Sequence, residues 1–233
     1  MKIVAMIPAR AGSKAIPDKN IRNIGGKPML SYAISAGKNA NLIDKVYVSS
    51  DSPEYLDLSV KLGANPHLRP GSLAQADTSM KQVVIEFAER LQSNGESFEA
   101  LVVLYPTHVQ RSSEDIDNYV SVFVNDPESR PLIGLYEHIV HPYECYQLHT
   151  DHNISTFVNP DTNKFYQRQA YPPCYQLSHW ACVLPANKLD TLNAQLVSPC
   201  SYGYVIPSDK IVIEVDTPLD FMIVDNLISA ERN

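Results

Sequence analysis

Two groups of residues, at opposite ends of the chain, are equipped for chemistry on a charged substrate. Near the start, Arg10, Gly12, Ser13, Lys14, Lys19 and Asn20 fall in one short loop. Small residues let a backbone approach a phosphate closely, and Arg and Lys supply compensating charge. Near the end, Glu214 and Asp216 stand two positions apart at the close of an alternating apolar run, residues 210–216. In an extended chain, side chains at i and i+2 project to one side, so both carboxylates can face one cation. Such oxygen ligands suit Mg2+, with Mn2+ as a substitute, and Mg2+ usually shares its other positions between water and substrate phosphates. A cationic cradle plus a paired carboxylate is the equipment of nucleotidyl transfer, where positioning and charge neutralisation supply most of the catalysis. Taken alone, either group reads more plainly as solvated side chains. Their presence together in one chain favours the chemical reading.

The loop is not a P-loop, because no second Gly stands directly before a Lys and a hydroxyl residue. It is not the dinucleotide fingerprint either, since Gly-x-Gly-x-x-Gly is absent. It follows a short apolar run, residues 3–7, closed by Pro8. A strand that empties into a cationic loop suggests an α/β sheet whose C-terminal edge binds an anion.

The elements that would hold these residues alternate. Strand patterns fall at 45–49, 64–68 and 100–104, and helical periodicity falls after Pro28, Pro53, Ser79 and Ser112. Ala100-Leu101-Val102-Val103-Leu104 is the strongest central-strand signal. This alternation predicts an α/β fold with a doubly wound, mainly parallel sheet, in a single domain over 1–233. Residues 131–136 and 180–184 read as further strands, 210–216 as the last strand, and 217–228 as a terminal helix with a cap and an early Pro. Residues from about 138 to 175 are rich in Tyr, His, Pro and Asn and lack helical periodicity. They read as a β-rich insertion, a candidate dimerisation arm.

With 233 residues the chain can bury a substantial core. Its net charge of −7 counts against a nucleic-acid partner and makes the N-terminal cations stand out. No run is long enough to span a bilayer, and the first residues read as a strand rather than a signal peptide. Cys145, Cys174, Cys182 and Cys200 form no Cys-x-x-Cys pair, so reduced, mostly buried thiols in a cytoplasmic protein are expected. His138, His141, His149 and His152 cluster in the insertion without metal-ligand spacing and read as surface or interface residues rather than a zinc site.

The opening loop, Ile7-Pro8-Ala9-Arg10-Ala11-Gly12-Ser13-Lys14-Ala15-Ile16-Pro17-Asp18-Lys19-Asn20, resembles the signature of the acylneuraminate cytidylyltransferases (CMP-sialic acid synthetases). Val48-Ser49-Ser50-Asp51, Leu68-Arg69-Pro70, Asp77-Thr78, Leu104-Tyr105-Pro106-Thr107, Arg168-Gln169 and Val212-Ile213-Glu214-Val215-Asp216-Thr217 follow in the family's order. The resemblance implies a Rossmann-like α/β nucleotidyltransferase fold and a homodimer that moves CMP from CTP to the anomeric hydroxyl of a 2-keto sugar acid, with release of pyrophosphate, for surface glycan synthesis. It implies that Arg10, Lys14 and Lys19 hold the triphosphate and stabilise the leaving pyrophosphate, and that Asp216 acts with them. Ala9, Gly12, Ser13, Asn20, Arg69, Asp77 and Thr78 would complete the nucleotide site, and Glu214 and Asp216 would hold the metal. Tyr105, Arg111, Arg168, Gln176 and His179 would meet the acceptor, with Arg168 facing its carboxylate; His108 is a further candidate for acceptor contact.

The chain departs from the family mostly on the acceptor side. Tyr105 replaces the usual Gln, His108-Val109-Gln110 replaces small residues, and Gln176-Leu177-Ser178-His179 stands where Arg-Pro-Asn-Gly is common. Glu214 replaces the commoner Asp. These changes count against N-acetylneuraminate itself as the acceptor. The alternatives are CMP transfer to a phosphonate or another small acid, or a non-catalytic nucleotide-binding homologue.

Overall fold

The computed structural model describes residues 1–137, 140–161 and 163–230. Strands β1 (Ile3–Pro8), β4 (Lys45–Ser50), β5 (Asn65–Leu68) and β6 (Ala100–Val103) form the first half of a seven-stranded sheet. The pairs β2 (Asn23–Ile24) and β3 (Lys27–Pro28), and β8 (Tyr146–Leu148) and β9 (Ile154–Thr156), are small separate hairpins. The main sheet is completed by β7 (Leu132–Glu137), β10 (Tyr175–Pro185) and β11 (Tyr202–Val205), in the order β11-β7-β10-β6-β1-β4-β5. β1 pairs parallel with β4 and β6, β4 with β5, and β7 with β11, while β10 runs antiparallel between β6 and β7. The sheet is therefore mainly parallel, as the alternation of patterns predicts.

Helices α1 (Met29–Asn39), α2 (Pro53–Lys61) and α4 (Ser113–Val124) pack on one face through Leu30, Ile34, Tyr55, Tyr119 and Phe123. Helix α3 (Met80–Ser93) covers the other through Val83, Val84, Phe87 and Leu91, joined by Leu189, Leu192 and Leu196. Both faces of β1 and β6 are thus buried, which explains why these strands read as unbroken apolar runs. Ser79 and Ser112 start α3 and α4 with capping boxes, Ser79 with Gln82 and Ser112 with Asp115. Helix α5 (Pro218–Ala230) caps a third small core, where Val224 and Ile228 meet Ile16, Ile24, Met29, Val109 and Val215.

Four expectations change. Residues 211–216 do not join the sheet; they form a strap bonded to the loops that hold Lys19 and Thr107. The Val215 N–H donates to Thr107 O (3.1 Å) and Lys19 Nζ donates to Val215 O (2.9 Å), so its backbone is satisfied by single crossing bonds rather than a ladder. The alternating pattern arises because Val215 turns into the third core. The last strand is instead β11, a short edge strand with a Gly and little apolar alternation. β10 begins five residues earlier than its apolar run and carries an irregularity between Ser178 and Cys182. Among the four cysteines, all free, Cys182 alone is buried.

The insertion over about 138–175 holds the β8–β9 hairpin and two short turns; the rest of its described residues are irregular. His138 lies outside the described residues. His141 is structural: its Nδ1 accepts from the Tyr143 N–H (3.2 Å) and its Nε2 faces Pro172 O (3.1 Å). His149 bonds Ser155 within the hairpin (2.8 Å).

Candidate active site

The cationic loop leaves β1 at Pro8 and crosses the carboxyl ends of the parallel strands. The Ala9 N–H donates to Ser49 O and the Ala11 N–H to Asp51 Oδ1, both at 2.9 Å, so the end of β4 anchors its first limb. Gly12 has φ +72°, a conformation that favours glycine, and open space surrounds it. Asn20 is buried and closes the loop: its Nδ2 donates to Arg10 O (3.0 Å) and its carbonyl accepts from the Leu30 N–H (2.8 Å). Ser13 and Arg10 are half-buried and Lys14 is exposed along the open side.

Lys19 links the two ends of the chain. Its ammonium donates to Asp216 Oδ1 at 2.8 Å as well as to Val215 O, although Asp216 lies 197 residues further on. Glu214 sits deeper and accepts from Thr107 Oγ1 (3.4 Å). Burial first, and then the neighbouring Asp216 carboxylate, push the Glu214 carboxyl above the usual range. Two carboxylates brought together at a cost to one of them suit a divalent cation. Among the described residues no group of three or more His, Cys, Asp or Glu could hold a metal alone. Glu214 and Asp216 are the carboxylates that could hold a divalent cation, with oxygen donors of the kind Mg2+ takes.

Arg69 stands beside the loop and is buried. It donates through Nε to Ser49 Oγ (3.1 Å) and through Nη2 to Ser49 O (2.9 Å). Ser49 Oγ also lies 3.0 Å from His67 Nδ1, and His67 Nε2 lies 3.2 Å from Glu86 Oε2 of α3. Because Ser49 already accepts from Arg69, its single proton can go to Nδ1, which leaves the ring proton on Nε2 facing the carboxylate. Burial, with Arg69 and Arg90, holds His67 at about 4, so this ring is neutral. Burial also lowers Arg69 to about 10, with Asp51 opposing the shift and Arg10 adding to it. A cleft of about 730 Å³ opens here, lined by Asp51, His67, Arg69, Gly71 and Arg90 among others. Asp77 and Thr78 lie on the turn before α3 and do not line it.

The expected acceptor residues divide. Gln176 and His179, at the start of β10, line a second cavity of about 330 Å³ with His108, Tyr136, Ser178, Gln195 and Glu214. Tyr105 packs against His179 with ring centres 5.1 Å apart, and burial raises its hydroxyl pKa. Arg111 is not in this cavity: it is buried, donates through Nη2 to Tyr105 O (3.3 Å) and lies 5.8 Å from the Trp180 ring centre. Arg168 lies on the insertion, 3.8 Å from Glu144, beside a separate cavity with Glu137, His141 and Tyr171.

Sequence reasoning did not single out Ser49, Asp51, His67, Thr107, Tyr136 or Gln195 as site residues. The first four sit at or just past the carboxyl ends of strands, where ligands bind such sheets, so a signal existed. Gln195 comes from an irregular stretch with no such signal.

A family model described as cytidylyltransferase matches residues 4–180. The CMP-N,N'-diacetyllegionaminic acid synthase of Legionella pneumophila is 28% identical over 236 residues, covering 100% of this chain and 98% of that protein. The pseudaminic acid cytidylyltransferase of Campylobacter jejuni is 40% identical over 108 residues, covering 46% of this chain and 47% of that protein. In fold, the chain resembles a CMP:2-keto-3-deoxy-manno-octonic acid synthetase solved with CTP, with a TM-score of 0.70 over 99% of this chain and 100% of that one, at 15% identity. With the family model matched over most of its length, the chain belongs to the cytidylyltransferase family and is a nucleotidyltransferase.

Proposed function

We propose that the protein transfers CMP from CTP to a nonulosonic-type 2-keto sugar acid, releasing pyrophosphate. The observation that carries this reading is the Lys19 contact with Asp216 and Val215, which makes the cationic loop and the carboxylate pair one site. The whole-length similarity to a CMP-nonulosonic acid synthase supports the acceptor class. In this reading Arg10, Lys14, Lys19 and Asn20 bind the triphosphate, and Arg69 binds the nucleotide from the β5 side. The acceptor hydroxyl gives up its proton to water and attacks the α-phosphorus as the bond to the β-phosphate oxygen breaks, and the loop cations meet the charge on the departing pyrophosphate. Glu214 and Asp216 hold Mg2+, which neutralises phosphate charge when bound.

Gln176, His179 and Tyr105 face the acceptor. Among the described residues no Lys or Arg lines the cavity of Gln176 and His179, so it suits uncharged hydrogen-bonding arms of the sugar acid rather than its carboxylate. Arg168 meets that carboxylate from the insertion, which acts as the arm of a cytoplasmic homodimer. The test is pyrophosphate release from CTP and Mg2+ with a panel of sugar acids and phosphonates, read with mass spectrometry of the products. A CMP conjugate of a nine-carbon 2-keto acid is the expected product. A conjugate with phosphonates alone, or with none of the acids, overturns the reading.

A further inference from the structure

The turn that aims Lys19 is gripped by a residue outside the loop. Asp18 has φ 51°, a left-handed conformation uncommon for any residue with a Cβ. Its carbonyl accepts from the N–H groups of Ile21 and Arg22, both at 3.0 Å, so the chain reverses at this point. Its carboxylate accepts from the Tyr55 hydroxyl at 3.0 Å.

Tyr55 is well placed to act as a fixed post. It lies in the first turn of α2, where its N–H donates to the Ser52 cap, and its ring is packed into the main core. The same β4–α2 junction also provides Asp51, which accepts from Ala11 at the other limb of the loop. One rigid corner therefore holds the loop on both sides, and Lys19 and Asn20 follow Asp18 directly.

We propose that Tyr55 and Asp18 are positioning residues for the nucleotide: the Tyr55 hydroxyl fixes Asp18 in its left-handed turn and so presets Lys19 and Asn20 for the triphosphate. This rests on the reading of the loop as the triphosphate site. A preset loop binds more tightly because less chain must be ordered on binding. Losing the hydroxyl frees the turn and leaves the apolar ring in the core.

The test is calorimetric titration with CTP and Mg2+, alongside thermal melts. Tyr55→Phe and Asp18→Ala should each raise the CTP Kd about three- to tenfold. The double variant should be no weaker than the weaker single one, because both remove the same bond. Asp18→Asn should restore binding toward the parent value, since its Oδ1 still accepts and Asn tolerates a left-handed turn best. A parent-like Kd for Tyr55→Phe, whether or not its melting point falls, overturns the inference, as does multiplication of the two single losses. Lys19→Ala separates the failures. If it weakens CTP and Tyr55→Phe does not, only the positioning role fails; if it leaves CTP binding intact, the reading of the loop itself fails.

Discussion

Lys19 and Asp216 form an ion pair, and that pairing sets what each substitution should do. In the proposed reading, phosphate takes over Lys19 and the metal takes over Asp216. Lys19→Ala should therefore weaken CTP at least about tenfold, and Asp216→Asn should lower kcat/KM about 100-fold or more, both read by steady-state pyrophosphate release. A second residue-scale consequence concerns His108. Burial, then Arg111 and His179, hold it at about 3, and neither ring nitrogen has a hydrogen-bond partner among the described residues. The folded protein keeps this ring neutral, so the unfolded chain takes up the proton first as pH falls below about 6.5. The stability it contributes is complete above that value and is lost progressively down to about 3. At pH 5 the loss is about 2 kcal/mol. His108→Phe should accordingly lose less melting temperature than the parent between pH 7 and pH 5, measured by paired thermal melts.

At the scale of elements, the strap over 211–216 does what a strand was expected to do, by other means. Both carboxylates reach the site because Val215 between them is fully buried, wedged against Ile16 and Val224. Val215→Ala should lower stability by about 1–3 kcal/mol and also raise the metal concentration needed for activity, measured by denaturant unfolding and a Mg2+ titration. The sequence could not distinguish strap from strand, since extended backbone shows the same alternation whether or not a neighbour completes a ladder. The elements that were legible are those with unambiguous local chemistry. The strands β1 and β6 are unbroken apolar runs because both faces are covered, and α3 and α4 announce themselves through Ser79 and Ser112. On the donor side, the loop from Ala9 to Asn20 was legible because its residue types carry the chemistry. On the acceptor side, Gln195 and Tyr136 converge only through tertiary packing, and the burial of Arg111, 5.8 Å from the Trp180 ring centre, is set by packing that the sequence pattern does not carry.

For the whole molecule, the insertion is the prominent unexplained surface, since Tyr146, Leu148, Ile154, Phe157 and Tyr166 are all exposed on it. A homodimer built through it should give a solution mass of about twice 26.0 kDa by light scattering. Leu148→Asp together with Phe157→Asp should halve that mass. The path of the chain through the site has a different consequence, one of local stability. The cationic loop and its carboxylate partner stand 197 residues apart, and they meet where Val215 shares a core with Val224 and Ile228 of α5. None of the seven strands includes residues 211–216, so the sheet does not depend on that contact. In the proposed reading, loosening α5 from this core should therefore part the loop from the carboxylates while the sheet stays folded.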